Sequence, residues 1–260
     1  MDLGLQGKVA LITGGSKGIG LETALVFSQE GASVVICARN EEHLLAASEI
    51  IESKTGRKVL IIQADVTKEE DVTRVVNQTV EYFGRLDILI NNAGTSAAHS
   101  FEQVDTEAWR YDLDLKLFAA IHFSREVIPY FRKAGGGAII NLSTAMAKAP
   151  TASSLPTSVS RAAGLAFTNA LSKDVAKDNI RVVAVCLGTI RSDQLEKRWR
   201  KEAPELTWEQ FSESHTHQIP MGRIGETNEA ANVIAFLASN AASYVTGTAI
   251  NIDGGKGANL

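Results

Sequence analysis

Short runs dense in Val, Ile, Leu and Ala recur along the chain, at 8–13, 33–38, 58–64, 86–90, 138–142, 180–186 and 249–252. They are apolar at successive rather than alternate positions, the pattern of strands covered on both faces. Between them lie longer amphipathic stretches at 19–30, 41–54, 68–83, 107–133, 156–177 and 228–237, which predict helices. Gly31, Gly56 and Gly84 follow three of these where a left-handed cap is wanted. Thr67, ahead of the acidic Lys68-Glu69-Glu70-Asp71 turn, is placed to cap the third helix. Strand–helix alternation with right-handed crossovers predicts an α/β fold. It is a doubly wound parallel β-sheet in a Rossmann-like three-layer α/β/α arrangement, one domain over 1–260.

The rhythm breaks once, over about 189–225. That segment carries Trp199, Trp208 and Phe211, the basic cluster Lys197-Arg198-Trp199-Arg200-Lys201, and His215 and His217. An insertion of this length after a strand predicts a substrate lid. Its aromatics hint at an apolar part of a substrate and its cations at an anionic one, although such a basic cluster is also an ordinary solvated helix face. The two histidines lack cysteine or carboxylate companions at metal-ligand spacing, so no metal is expected.

Composition narrows the class. The chain has 260 residues, with 26 Lys+Arg against 30 Asp+Glu, a net charge of -4 that disfavours nucleic acid as a partner. Cys37 and Cys186 sit inside apolar runs and are expected to be buried packing residues in a reducing compartment, not a disulfide. No apolar run approaches the ~20 residues that span a bilayer, and the first residues lack the pattern of a secretion signal. A cytoplasmic, soluble protein with no membrane partner is the expectation.

Directly after the first strand comes Thr13-Gly14-Gly15-Ser16-Lys17-Gly18-Ile19-Gly20, opening a helix. Glycines there permit a sharp turn and let backbone amides approach a pyrophosphate, while the helix N-terminus offers its unpaired N–H groups and positive dipole end. In sites that prefer NAD an acid ends the second strand and holds the ribose 2′-hydroxyl. Here Ala38 stands there, followed by Arg39, with Lys17 in the glycine turn. An acid would repel a 2′-phosphate and a guanidinium would take it with two hydrogen bonds, so NADP(H) is the expected cofactor.

These motifs, with Asp65-Val66, Asn91-Asn92-Ala93-Gly94 and the stretch 247–255 that ends Asp253-Gly254-Gly255, resemble the short-chain dehydrogenase/reductase family, and the likeness runs nearly end to end. The resemblance implies that Asp65 bonds the adenine amino group beside Val66, that Asn91, Ala93 and Gly94 line the coenzyme, and that Ser192, after Gly188, bonds the nicotinamide carboxamide. It also implies a homodimer or homotetramer.

The family's chemistry rests on Asn, Ser, Tyr and Lys. Tyr protonates the carbonyl as hydride arrives, Lys lowers its pKa and holds the ribose, Ser binds the carbonyl oxygen and Asn anchors a water relay. The four positions here hold Lys116, Thr144, Thr157 and Arg161, and no tyrosine occurs between Tyr130 and Tyr244 to rescue the motif. Thr144 keeps a hydroxyl for the carbonyl, and Arg161 keeps a cation for the ribose. Thr157 is a weak proton donor because an aliphatic hydroxyl is far less acidic than a phenol. Beside Arg161, the pKa of Lys116 is expected to fall, making it a general acid or half of a carboxylate clamp; otherwise it snorkels to solvent. His99, beyond Gly94, is a spare donor. Three readings follow: an NADP(H)-dependent oxidoreductase on a small carbonyl or alcohol with an atypical active site, a coenzyme-binding pseudoenzyme, or a non-redox lyase or isomerase.

Overall fold

The computed structural model describes residues 1–258. Its strands and helices alternate as β1 (Val9–Thr13), α1 (Gly18–Gln29), β2 (Ser33–Ala38), α2 (Glu41–Thr55), β3 (Leu60–Gln63), α3 (Glu69–Phe83) and β4 (Ile88–Asn91). Then come β5 (Ala98–His99), α4 (Thr106–Leu113), a π-helical turn at Asp114–Phe118, α5 (Ala119–Lys133), β6 (Gly137–Thr144), β7 (Leu155–Pro156) and α6 (Thr157–Val175). The chain continues through β8 (Ile180–Leu187), α7 (Asp193–Glu202), α8 (Trp208–Ser212), α9 (Thr227–Ala238) and β9 (Ala249–Ile252).

Seven strands form one sheet in the order β3-β2-β1-β4-β6-β8-β9, parallel throughout. Alternate residues of each strand feed opposite cores. Ala10 and Ile12 of β1 join Phe27, Ile36 and Ile234 on one face. Val9 and Leu11 join Val35, Val76, Phe123 and Phe131 on the other. The crossover from β3 back past β1 to β4 places a crevice at the carboxyl ends of β1 and β4, where open α/β sheets bind ligands.

The caps follow expectation in two of three cases. Gly56 and Gly84 close α2 and α3 in the left-handed conformation. Helix α1 ends one residue earlier than expected, at Gln29 with Glu30 as its cap, and Gly31 (φ +85°) makes the turn beyond it. Thr67 does not cap α3. Lys68 holds that place, because Asp65 Oδ1 captures both the amide and the hydroxyl of Thr67, at 3.0 and 2.8 Å.

Cys37 and Cys186 are buried and unpaired, as expected. No helix of the described residues is long and apolar enough to cross a membrane.

The segment 189–225 has its own apolar centre: Trp208, Phe211 and Ile224, with Trp199, Leu195 and Ile219 around them. The aromatics therefore face one another and leave the sequence hint of an apolar substrate contact without a basis. Trp199 donates its indole N–H to the Leu206 carbonyl and Trp208 donates to Glu226. The basic cluster lies on α7, with Arg198 and Arg200 exposed and bridging Glu202 and Glu196, a solvated helix face.

Candidate active site

A cleft of ≈ 500 Å³ opens at the carboxyl ends of the central strands. The glycine turn forms one wall. Gly14 (φ +65°) has its amide bound by the Cys37 carbonyl, and a Cβ there would meet the Ala93 backbone at 3.0 Å. Asn92 locks the turn from β4 by donating to the Thr13 and Gly14 carbonyls at 2.8 and 3.0 Å. Helix α1 starts at Gly18 with no side chain capping its first amides and no acid in its first turn. Those amides face the cleft, which Ser16, Lys17, Gly18 and Ile19 line.

Ala38 and Arg39 end β2 beside the turn, since Thr13 and Cys37 stand in register. The Arg39 guanidinium is exposed and donates to the Tyr111 hydroxyl at 3.1 Å. Asp65 lies next door, where Ala64 bonds the Ala38 carbonyl, and Val66 is buried. Across the cleft, Lys17 reaches Asp193 of α7 at 3.6 Å. Ser192 lines the cleft, but its hydroxyl also caps α7 by accepting from the Leu195 amide. Gly188 lies against Asp253, leaving no room for a Cβ. Asn91 does not turn its side chain to the cleft; its amide donates to Asn141 at 2.8 Å inside the sheet. Ala93 and Gly94 do line the cleft, and a Cβ on Gly94 would stand 2.5 Å from the Arg161 guanidinium.

Lys116, Thr144, Thr157 and Arg161 lie close together. Thr144 ends β6 and Thr157 opens α6, both lining the cleft with Arg161. Lys116 lies behind them on the π-helical turn, where the extra residue in the helical ring lets the side chain swing inward. It does not snorkel: the side chain is 0 % exposed. Its ammonium is held by Asp112, one turn earlier on α4, and donates to Thr157 Oγ1 at 2.8 Å. Thr157 Oγ1 also accepts from the Ala97 amide at 3.0 Å, and Asp112 Oδ2 accepts from Ser160 Oγ at 2.5 Å.

The electrostatics follow from this enclosure. Burial pushes the Lys116 pKa down, the Arg161 charge pushes the same way, and Asp112 opposes both. The fall expected from Arg161 is present, though desolvation is its larger cause. Burial lowers Arg161 to about 10, against the pull of Asp112, and it stays a cation near neutral pH. Because Asp112 neutralises Lys116, the two cations do not form a free clamp for a carboxylate.

Other candidates are spoken for. His99 lies exposed on β5, paired antiparallel with Leu155 of β7, and does not line the cleft. Lys148 donates to the Ala249 carbonyl and to Asn251. Ser154 and Ser158 bond each other. Sequence reasoning missed Asp112, yet a signal existed, since an acid four residues before a lysine on one helix is a favoured pair.

Comparison with known proteins shows the family. The family model described as "Enoyl-(Acyl carrier protein) reductase" matches residues 14–256. An uncharacterized oxidoreductase of Thermotoga maritima is 38% identical over 254 residues, covering 98% of this chain and 99% of the relative. L-sorbose reductase from Gluconobacter frateurii, solved with NADPH and L-sorbose, superposes with a TM-score of 0.93 at 36% identity over 100% of both chains. A short chain oxidoreductase from Pseudomonas aeruginosa PAO1, described as containing an atypical catalytic center, superposes at 0.95 with 32% identity, over 99% of this chain and 100% of that one.

Proposed function

Because the chain belongs to the short-chain dehydrogenase/reductase family, we propose that it is an NADP(H)-dependent oxidoreductase acting on a small carbonyl/alcohol pair through an atypical site. The observation that carries this reading is the phosphate end of the cleft. An uncapped helix N-terminus faces it, Lys17 lines it, no acid ends β2, and the exposed Arg39 follows that strand. A Cβ on Gly18 would meet nothing within 4 Å, so that side of the turn is open to a phosphate.

In this reading Gly14, Ser16, Lys17, Gly18 and Ile19 hold the pyrophosphate and Arg39 the 2′-phosphate. Asp65 and Val66 receive the adenine, and Asn91, Ala93 and Gly94 shape the floor, Asn91 from within the sheet. Arg161 holds the nicotinamide ribose, and Gly188 and Ser192 meet the carboxamide. The coenzyme supplies the hydride. Thr144 and Thr157 bind the carbonyl oxygen. The segment 189–225 serves as the lid, with Arg191, Ser192, Asp193 and Gln194 on the cleft wall. Exposed Tyr111, Phe118 and Val159 on the α4, π-turn and α6 faces suit a homodimer or homotetramer.

The lyase or isomerase reading rests on Lys116 and Arg161 as paired cations for an enolate or carboxylate, and the Asp112 carboxylate against Lys116 favours the reductase over it. The test is a fluorescence titration with NADPH and NADH side by side, followed by an absorbance assay of NADPH oxidation with L-sorbose and 2,3-butanedione. Tighter NADPH binding with turnover supports the proposal. NADPH binding without turnover on any carbonyl favours the pseudoenzyme, and binding of neither coenzyme by folded protein rejects the oxidoreductase.

A further inference from the structure

Thr157 occupies the position from which a proton must reach the substrate oxygen, yet its hydroxyl is a poor acid on its own. Its surroundings change that. A hydroxyl has two lone pairs and one proton. Both lone pairs of Thr157 Oγ1 are used, one by Lys116 Nζ at 2.8 Å and one by the Ala97 amide at 3.0 Å. Neither donor can accept in return, so the Thr157 proton is directed away from both, and the residue lines the cleft.

Resting on the reductase reading above, we infer that Lys116 is the proton source for the carbonyl oxygen, delivering through Thr157, with Asp112 and Ser160 as the positioning residues that hold it. The step balances. As hydride from NADPH, which is oxidised to NADP⁺, adds to the carbonyl carbon and the C=O π bond breaks, the Thr157 proton passes to the oxygen and a Lys116 Nζ proton replaces it on Oγ1. The product is the alcohol, an unchanged threonine and a neutral Lys116 amine. In the oxidative direction each transfer reverses.

Two charged groups decide whether Lys116 can let go. Asp112 from α4 faces it as a carboxylate, and Arg161 from α6 as a cation. The strands contribute neutral amides, Asn91 and Asn141, which line a cavity of ≈ 20 Å³ with Lys116 and Ser160. Lys116, Arg161 and Asp112 together carry one net positive charge. Loss of the Lys116 proton leaves Arg161 and Asp112 balanced in a buried place, which favours release. Burial and Arg161 lower the pKa of Lys116 towards working pH, the direction an acid catalyst needs. The cavity behind it is of the size that admits one water, enough to reload the amine. Asp112 is fixed on its far oxygen by Ser160, so Lys116 cannot drift from Thr157 without breaking two bonds.

The test compares wild type with Thr157→Val, Thr157→Ser, Lys116→Arg and Asp112→Asn, using NADPH with L-sorbose and 2,3-butanedione. Thr157→Val is expected to lose about 10²–10⁴-fold in kcat with NADPH affinity held within a few-fold. Thr157→Ser restores most of that loss. The rate of reduction in wild type falls as pH rises through the pKa of Lys116. Asp112→Asn moves that fall to lower pH, and Lys116→Arg, which cannot release a proton, removes it. A readout independent of turnover is NMR of protein labelled with ¹³C at the lysine ε-carbon. The resonance lost in Lys116→Arg should titrate below the other lysines. Normal kcat in Thr157→Val, or a Lys116 resonance that titrates with the surface lysines, overturns the relay. Wild type that neither binds NADPH nor turns over would sink the reductase reading instead, and the NMR titration would still decide whether Lys116 is tuned as described.

Discussion

Lys116 and Asp112 face each other one helical turn apart with side-chain exposures of 0 and 3 %, an ion pair taken wholly out of water. Such a pair returns little net stability, because desolvating both charges costs about what their attraction gives. Removing one partner is different, since the other is then buried uncompensated. Lys116→Met is therefore expected to destabilise by about 3–5 kcal/mol, and Lys116→Met/Asp112→Leu to recover most of it. Urea denaturation of the two variants checks this. Equal losses in the single and double variants would show that the pair is not coupled.

Arg39 lies exposed beyond β2, its guanidinium donating to the Tyr111 hydroxyl. A guanidinium–phosphate hydrogen bond is worth about 1.5–3 kcal/mol, which is roughly 10- to 150-fold in Kd. Arg39→Ala should weaken NADPH binding by that factor and leave NADH nearly untouched. Arg39→Asp should go further and favour NADH. Side-by-side fluorescence titrations read both, and parallel losses for the two coenzymes would take Arg39 away from the 2′-phosphate.

Gly20 lies in the first turn of α1, where a Cβ would overlap the Gly14 carbonyl oxygen and crowd the Asn92 amide at 2.5 Å. Neither neighbour can move freely, since Asn92 pins the Gly14 carbonyl. Gly20→Ala should cost about 1–3 kcal/mol and displace the turn enough to weaken coenzyme binding. Gly18→Ala meets no atom but strains a positive φ of +56°, so its effect comes from backbone conformation alone. Thermal melts with and without NADPH separate the two.

Glu229 is held down to about 2, first by the Arg223 hydrogen bond and then by the Glu226 amide. Its unfolded value is near 4.5, so the pair contributes stability above that pH. That contribution is lost as pH falls from about 4.5 towards 2. Both side chains are about two-fifths exposed, and solvent screening keeps the effect modest. Urea denaturation followed by tryptophan emission should show Glu229→Gln modestly less stable than wild type at neutral pH, with the difference closing as pH falls from about 4.5 towards 2.

The periodicity alone places the seven sheet strands and the helices outside 189–225, because a sheet buried on both faces needs unbroken apolar runs and the covering helices need a polar side. What escaped was set by single hydrogen bonds. Thr67 lost its cap role because Asp65 sits two residues away and competes for the same groups. The two-residue strands β5 and β7 are too short to carry a pattern, yet their pairing takes His99 out of the site. The fate of Lys116 depended on a π-helical turn, and nothing in residues 114–118 announces the extra residue in that ring. Lys116, Thr144, Thr157 and Arg161 were legible by position; the carboxylate of Asp112 that holds Lys116 beside Thr157 was not.

The apolar centre shared by Trp208, Phe211 and Ile224 anchors residues 189–225 to one another, and the bridge from Ile190 to Gly225 brings the two ends of the segment side by side. A piece of chain built this way behaves as a cassette. Its rim at Arg191–Gln194 can be rewritten, or the whole segment grafted from a relative, without rebuilding the sheet beneath. On the lid reading proposed above, a change of substrate range would fall on this segment and leave the sheet in place.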